Sequence, residues 1–237
     1  MTDFTLRDRL DVSLQMIGSE KEPLLIIESV MQDPSSLVDY AADQVSFTPA
    51  WGPAGGYPGV RAPAPLNYVN NLVRMLDPII RRAFALDGAK LARAECNFSL
   101  VSLRPEELVP LQRIPHADTV DPHQFALLHY LCPSSLGGTA FYRHVATGFE
   151  TLSEERWSEY ERVRAEELAG ASETKGYIRG DTQFYKQTAA VEAGFDRVII
   201  YRSRTLHSGQ IPEGAALPPD PRTGRLTANI FINYKAS

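Results

Sequence analysis

Arg225-Leu226-Thr227-Ala228-Asn229-Ile230-Phe231-Ile232-Asn233 alternates with a period of two. Successive side chains of a strand point to opposite faces. Arg225, Thr227 and Asn229 therefore share one face, while Leu226, Ala228, Ile230 and Ile232 share the other. This is a strand with an apolar side to bury and a polar side that carries a guanidinium beside a hydroxyl. Facing inward, that pair makes a fork for a carboxylate. On an edge strand the same residues only meet solvent.

Working back from this strand, the same texture recurs over 91–103, 109–116, 124–131, 139–145, 184–190 and 197–206. A charged helical insert interrupts it over 153–168. Further upstream, 23–28 is a short apolar run suited to a buried strand, and Asp33-Pro34-Ser35-Ser36 caps a helix over 37–42. Residues 48–65 hold Trp51, Gly52, Pro53, Gly55, Gly56, Pro58 and Gly59 and are expected to form a loop. Residues 66–86 place Val69, Leu72, Val73, Leu76, Ile79, Ile80, Ala83 and Phe84 at helical spacing, with a kink or break expected at Pro78. Helices first and many strands after them give an α+β class with a β core, and a two-sheet jelly roll is one way to protect the strand edges.

At 237 residues the chain suits one good-sized domain, without internal repeats. A composition of 43% hydrophobic and 22% charged residues is that of a folded globular protein. The net charge of −5 supplies no basic field for nucleic acid or anionic lipid. Cys96 and Cys132 lie in apolar surroundings and read as buried thiols of a reducing compartment. The amino end, with Asp3, Arg7, Asp8 and Asp11, has no apolar signal region. No run approaches the roughly 18 apolar residues of a membrane span. A soluble cytoplasmic protein is expected.

Ile114-Pro115-His116-Ala117-Asp118 puts an imidazole and a carboxylate two residues apart, on one face of an extended segment. A second imidazole, His207, stands far downstream in Thr205-Leu206-His207-Ser208-Gly209. Two imidazoles and a carboxylate are the set that holds non-haem Fe(II) on one side and leaves the other side open. The same donors suit zinc with a bound water as nucleophile. His129 and His144 fall inside strands and read as satisfied core or supporting groups, and His123 is a third alternative by count.

In order and kind, these signals resemble the Fe(II)- and 2-oxoglutarate-dependent dioxygenases, nearest to their prolyl-4-hydroxylase-like branch. The resemblance runs over about residues 91–234. It rests on His116-x-Asp118, Leu127-Leu128-His129-Tyr130-Leu131, Leu136-Gly137-Gly138-Thr139-Ala140-Phe141, Val198-Ile199-Ile200-Tyr201, His207-Ser208-Gly209 and Arg225. It implies that His116, Asp118 and His207 hold the iron and that Arg225 pairs with the far carboxylate of 2-oxoglutarate. Thr227 adds a hydrogen bond there, Tyr130 supplies a phenol to the same carboxylate, and Arg222 is an alternative cation. The implied fold is a double-stranded β-helix, cupin-like, with supporting helices at the amino end. Residues 1–237 then form a single domain, 1–90 a mainly helical support, and 91–237 a jelly-roll catalytic core with a helical insert at about 150–170.

The resemblance implies a hydroxylase using Fe(II), 2-oxoglutarate and O2. Its partners are a small-molecule, amino-acid or peptide substrate and a second copy of the chain as a homodimer, with neither nucleic acid nor membrane. Asp118 fills the carboxylate position that related halogenases leave vacant, which favours hydroxylation over chlorination. The segment around Tyr57 and Arg61 is a candidate lid, and with Arg113 these arginines suit a carboxylate-bearing substrate. A zinc-dependent hydrolase and a non-catalytic jelly-roll binding module are the alternatives.

Overall fold

A computed structural model of the protein describes residues 4–53, 55–170 and 176–235, so the domain expected over 1–237 extends past them at both ends. In chain order the elements are β1 (Asp11–Ile17), β2 (Glu22–Glu28), α1 (Ser35–Asp43), β3 (Thr48–Gly52), β4 (Gly55–Pro63) and α2 (Leu66–Ala83). There follow β5 (Lys90–Val101), β6 (Gln124–Tyr130), β7 (Gly138–His144), α3 (Glu154–Gly170), β8 (Tyr185–Glu192), β9 (Arg197–Arg202), β10 (His207–Gln210) and β11 (Arg225–Lys235). Described strands form an eight-stranded sheet, β1-β2-β9-β6-β11-β5-β4-β3, and a three-stranded sheet, β10-β7-β8. Every pairing is antiparallel.

The alternation in β11 is used on both faces. Leu226, Ala228, Ile230 and Ile232 join Phe98, Leu100, Phe125, Leu127, Val198 and Ile200 in one core, beneath α1 and α2. α2 contributes Tyr68, Val69, Leu72, Val73, Leu76 and Ile80 to it. Each fully buried large apolar side chain stabilises the fold by about 1.5–3 kcal/mol. That stripe lies on both sides of Pro78 and holds the helix continuous, so the expected break does not occur.

On its other face the large sheet meets the small one. Leu24, Ile26, Tyr130, Ile199 and Tyr201 from the first pack with Phe141 and Val191 from the second. The outer side of the small sheet, through Ala140, Tyr142 and Tyr185, is covered by Tyr160 of α3. The layers therefore run helix, sheet, sheet, helix.

Four further expectations are corrected. Residues 48–65 form a hairpin, β3 and β4, that extends the large sheet beyond β5. Its glycines serve the turn. Gly56 has φ +104°, and a Cβ there would lie 2.6 Å from the Ala50 carbonyl oxygen. Pro49 is tolerated because β3 is an edge strand. The amino-terminal third thus holds four strands as well as two helices, and is not mainly helical. Residues 109–116 are no strand: a 3-10 turn covers Pro110–Arg113, and His116 forms an isolated bridge. Finally, α1 has Pro34 at its N-cap, whose side chain offers no acceptor, and Ser36 Oγ donates to the Asp33 carbonyl.

Candidate metal centre

His116 and His207 bridge through their backbones, each N–H donating to the other's carbonyl oxygen at 2.9 Å. This bridge carries the edge of the small sheet past β10 to the His-x-Asp segment. The Asp118 N–H donates to the Ser203 carbonyl at 2.8 Å, just after β9. Three candidate donors from two distant segments of the chain are thus positioned by main-chain hydrogen bonds.

Their side chains converge. His116 Nε2 lies 3.6 Å from Asp118 Oδ1, and His207 Nε2 lies 3.7 Å from Asp118 Oδ2. Donor atoms of all three residues fall within 4.8 Å of one another. Metal bonds of about 2.0–2.2 Å set donors about 3 Å apart at a right angle and about 3.4 Å apart at a tetrahedral one. Small side-chain rotations close that gap, so the set fits a divalent ion. The His116 side chain is 53% exposed and that of His207 8%, which leaves the centre open on one side.

The state of His207 suits a ligand. Its Nδ1–H donates to the Thr205 carbonyl at 2.9 Å, which leaves the Nε2 lone pair aimed at the site. Tyr201 packs edge-on against the ring at 4.8 Å. Burial pushes the imidazole down to about 4, assisted by His116 and opposed by Asp118, so the ring is neutral at neutral pH. For Asp118, burial is the largest influence and pushes its carboxyl up. The two imidazoles and Arg61 together outweigh it and hold the value below the usual aspartate range. The pull of His207 acts only where that ring is charged; at neutral pH Asp118 is ionised in any case.

Beside the donors lies a cavity of about 390 Å³ lined by His116, Asp118, His207, Arg225, Thr227 and Asn229, among others. Arg225, Thr227 and Asn229 share the face that alternation assigned to them. Arg225 is buried, and its Nη2 donates to the Gly138 carbonyl at 2.7 Å. That carbonyl follows Gly137, whose φ of +106° and close approach to the Gln210 carbonyl admit no side chain. A Cβ on Gly209, two residues after His207, would stand 3.9 Å from Arg225 Nη2, so the guanidinium lies beside the ligand strand. Arg225 Nε and the Tyr57 hydroxyl are both buried without a hydrogen-bond partner among the described residues. A donor left so costs about 1–3 kcal/mol, and a carboxylate oxygen is an acceptor of the kind it lacks.

Other site expectations come out differently. The Tyr130 hydroxyl bonds Thr139 Oγ1 at 2.6 Å, and its ring lies against Arg225 at 5.9 Å. Tyr57, from β4, lines the cavity, and its hydroxyl has no partner among the described residues. Thr227 donates to Asn229 Oδ1 at 2.6 Å, so its hydroxyl proton is already committed. Arg222 pairs with Asp39 and Asp43 on α1 and does not compete with Arg225. Arg113 donates to the Leu108 carbonyl, and the cavity wall is built without it. His129 and His144 are buried and hydrogen-bonded, as read from the sequence. Tyr177, Tyr201 and Arg164 also line the cavity, and nothing in the sequence reading gave them a role there. Asp118 is the only carboxylate among the described lining residues, which leaves a hydrolytic reading without a second acid to act as base.

A model of a family described as a family of unknown function (DUF6445) matches residues 8–232. No curated protein matches the chain. Among solved structures it is similar to HygX from Streptomyces hygroscopicus with nickel, 2-oxoglutarate and hygromycin B bound. The identity there is 12%, covering 90% of this chain and 84% of that one, with a TM-score of 0.47. It is also similar to the non-haem alpha-ketoglutarate-dependent epimerase SnoN from nogalamycin biosynthesis, at 11% identity, 90% and 77% coverage and a TM-score of 0.46. A prolyl-4-hydroxylase from Pseudomonas putida matches at 13% identity over 86% of this chain and 100% of that one, with a TM-score of 0.34.

Proposed function

This chain belongs to the DUF6445 family, and we propose that it is an Fe(II)- and 2-oxoglutarate-dependent oxygenase that hydroxylates a small molecule, an amino acid or a peptide side chain. One observation carries the reading: a His-Asp-His donor set shares a cavity with a buried guanidinium whose Nε has no acceptor among the described residues. The two sheets are read as the walls of a double-stranded β-helix, with the ligands on the small sheet's edge and Arg225 on the large sheet.

In this reading His116, Asp118 and His207 hold the iron. Arg225 takes the far carboxylate of 2-oxoglutarate through Nε, while its Nη2 stays on Gly138. Tyr57 donates its hydroxyl to the same group. Burial raises that phenol above its usual value, against the pull of Arg225 and Arg61, so it stays protonated and able to donate. The Thr205 carbonyl keeps His207 in the ligating tautomer. When bound, iron and 2-oxoglutarate reduce O2 with release of succinate and carbon dioxide, and one oxygen atom enters a substrate C–H bond. Asp118 would fill a position on the iron that chloride would need, which favours hydroxylation over chlorination. Among described residues no helix is long and apolar enough to cross a membrane, and the two unpaired cysteines suit a cytoplasmic setting.

The test is anaerobic purification, loading with Fe(II), and assay of succinate released from 2-oxoglutarate in air. We expect about one iron per chain and iron-dependent succinate. Protein that takes up iron but gives no more succinate than iron alone overturns the reading.

A further inference from the structure

Resting on the oxygenase reading, we infer that the substrate carries a carboxylate, which is received by Arg164 of α3 together with Arg61 of β4. Both line the same cavity as the metal donors. They arrive from different layers, Arg61 from the large sheet and Arg164 from the helix that covers the small one.

Arg164 is unusual for a residue of a solvent-facing charged helix. Its side chain is 19% exposed, and its Nε is buried without a partner among the described residues. Glu161 holds Nη2 at 2.5 Å, and the guanidinium lies 5.6 Å from the Tyr160 ring centroid. These contacts orient the group and leave its buried Nε–H without an acceptor among the described residues. Arg61 donates Nε to Ser99 Oγ at 3.1 Å and lies 4.6 Å over the Tyr57 ring, so it too is fixed in place.

Charge indicates what they receive. The described wall holds three guanidiniums, those of Arg61, Arg164 and Arg225, against one carboxylate, Asp118. A divalent ion and a 2-oxoglutarate dianion fill the centre and leave an excess of two positive charges. Glu161, paired with Arg164, offsets one. A single negative charge is then wanted, which matches a carboxylate and not a phosphate dianion. A cavity of about 390 Å³ stands near the lower end of the range for small-molecule sites, about 300–1,000 Å³. With 2-oxoglutarate seated, it admits a small organic acid or the carboxyl end of an amino acid.

The test uses protein loaded with Ni(II) and 2-oxoglutarate, which binds without turning over, titrated calorimetrically with matched acids and amides. The pairs are hexanoate and hexanamide, phenylacetate and phenylacetamide, and N-acetylleucine and its amide. At least one acid should bind about 10-fold more tightly than its amide, the scale of a hydrogen bond to a charged group. R164Q and R61Q, checked by circular dichroism to be folded, should bring that ratio to about 1 through weaker binding of the acid, and R164Q should leave 2-oxoglutarate affinity unchanged. The inference is overturned if no pair shows the preference, or if the preference survives both variants. Failure of the oxygenase reading looks different: the unaltered protein then takes up neither Ni(II) nor 2-oxoglutarate.

Discussion

His129 and His207 are both buried, and each stands near an aspartate, yet their nitrogens are spent differently. His129 gives Nδ1 to the Tyr68 hydroxyl at 2.8 Å and Nε2 to Asp196 at 3.0 Å. Asp196 also accepts the Met31 N–H with both oxygens. Every polar atom of that ring is satisfied, and a metal has nothing to bind. His207 uses Nδ1 on Thr205 and leaves Nε2 at 3.7 Å from Asp118, beyond hydrogen-bond length. The difference separates a strut from a ligand: burial and an acidic neighbour are common to both, and the unspent lone pair is not.

The largest expected effect is a double dissociation between these two histidines. His207→Ala should reduce metal uptake and succinate formation by more than about 100-fold, because one of three ligands is gone, while the melting temperature of the metal-free protein changes little. His129→Ala should do the reverse. It strands the Tyr68 hydroxyl and Asp196 in the core, at a cost of about 3 kcal/mol, and leaves iron bound per folded chain near its original value. Metal analysis and thermal melts on both variants read this out. Equal loss of metal in the two would erase the distinction.

Residues with local meaning were legible in the sequence; those whose meaning lies in a tertiary contact were not. Alternation alone sorted Arg225, Thr227 and Asn229 from Leu226, Ala228 and Ile230, because a strand has only two faces. His116 and Asp118 were legible for the same reason. Tyr130 lies opposite Thr227 in the β6–β11 register, so its placement on that strand was right. Its hydroxyl is consumed by Thr139, a contact no spacing reveals. Tyr57 and Arg61 sat in a stretch so rich in glycine and proline that it read as a loop, although two-residue steps along β4 carry both to the cavity. Arg164 gave no sign at all: among the charges of α3, only its low exposure and its place in the cavity wall set it apart.

The two tyrosines extend the comparison from the metal to the carboxylate slot. Arg225→Gln should raise the apparent KM for 2-oxoglutarate by about 10- to 100-fold through loss of a charged hydrogen bond. Tyr57→Phe should raise it by about 5-fold, a neutral donor being worth less. Tyr130→Phe should change it less than either, since its hydroxyl is occupied. If Tyr130→Phe exceeds Tyr57→Phe, the slot is served by the residue first read from the sequence, and the assignment of Tyr57 falls.

The smallest effect applies the same distinction to carboxylates. Glu150 resembles Asp196 and not Asp118: it accepts from the Ser19 N–H at 3.0 Å, the Ser19 hydroxyl at 2.8 Å and the Glu20 N–H at 3.0 Å. It thereby ties the β1–β2 turn to the segment before α3. Burial, the largest influence, pushes its carboxyl up, but those donors outweigh it and hold the value below the usual glutamate range. A depressed acid stabilises the folded state above its unfolded value, about 4.3. The contribution is lost as pH falls through the folded value, because protonation removes the charge the donors favour. Glu150→Gln should therefore lower stability by about 1–2 kcal/mol at pH 7. The gap should narrow as the pH is taken from 5 to 3, in melts of both proteins without metal. A gap that stays constant over that range would mean the turn is held by the shape of Glu150 and not by its charge.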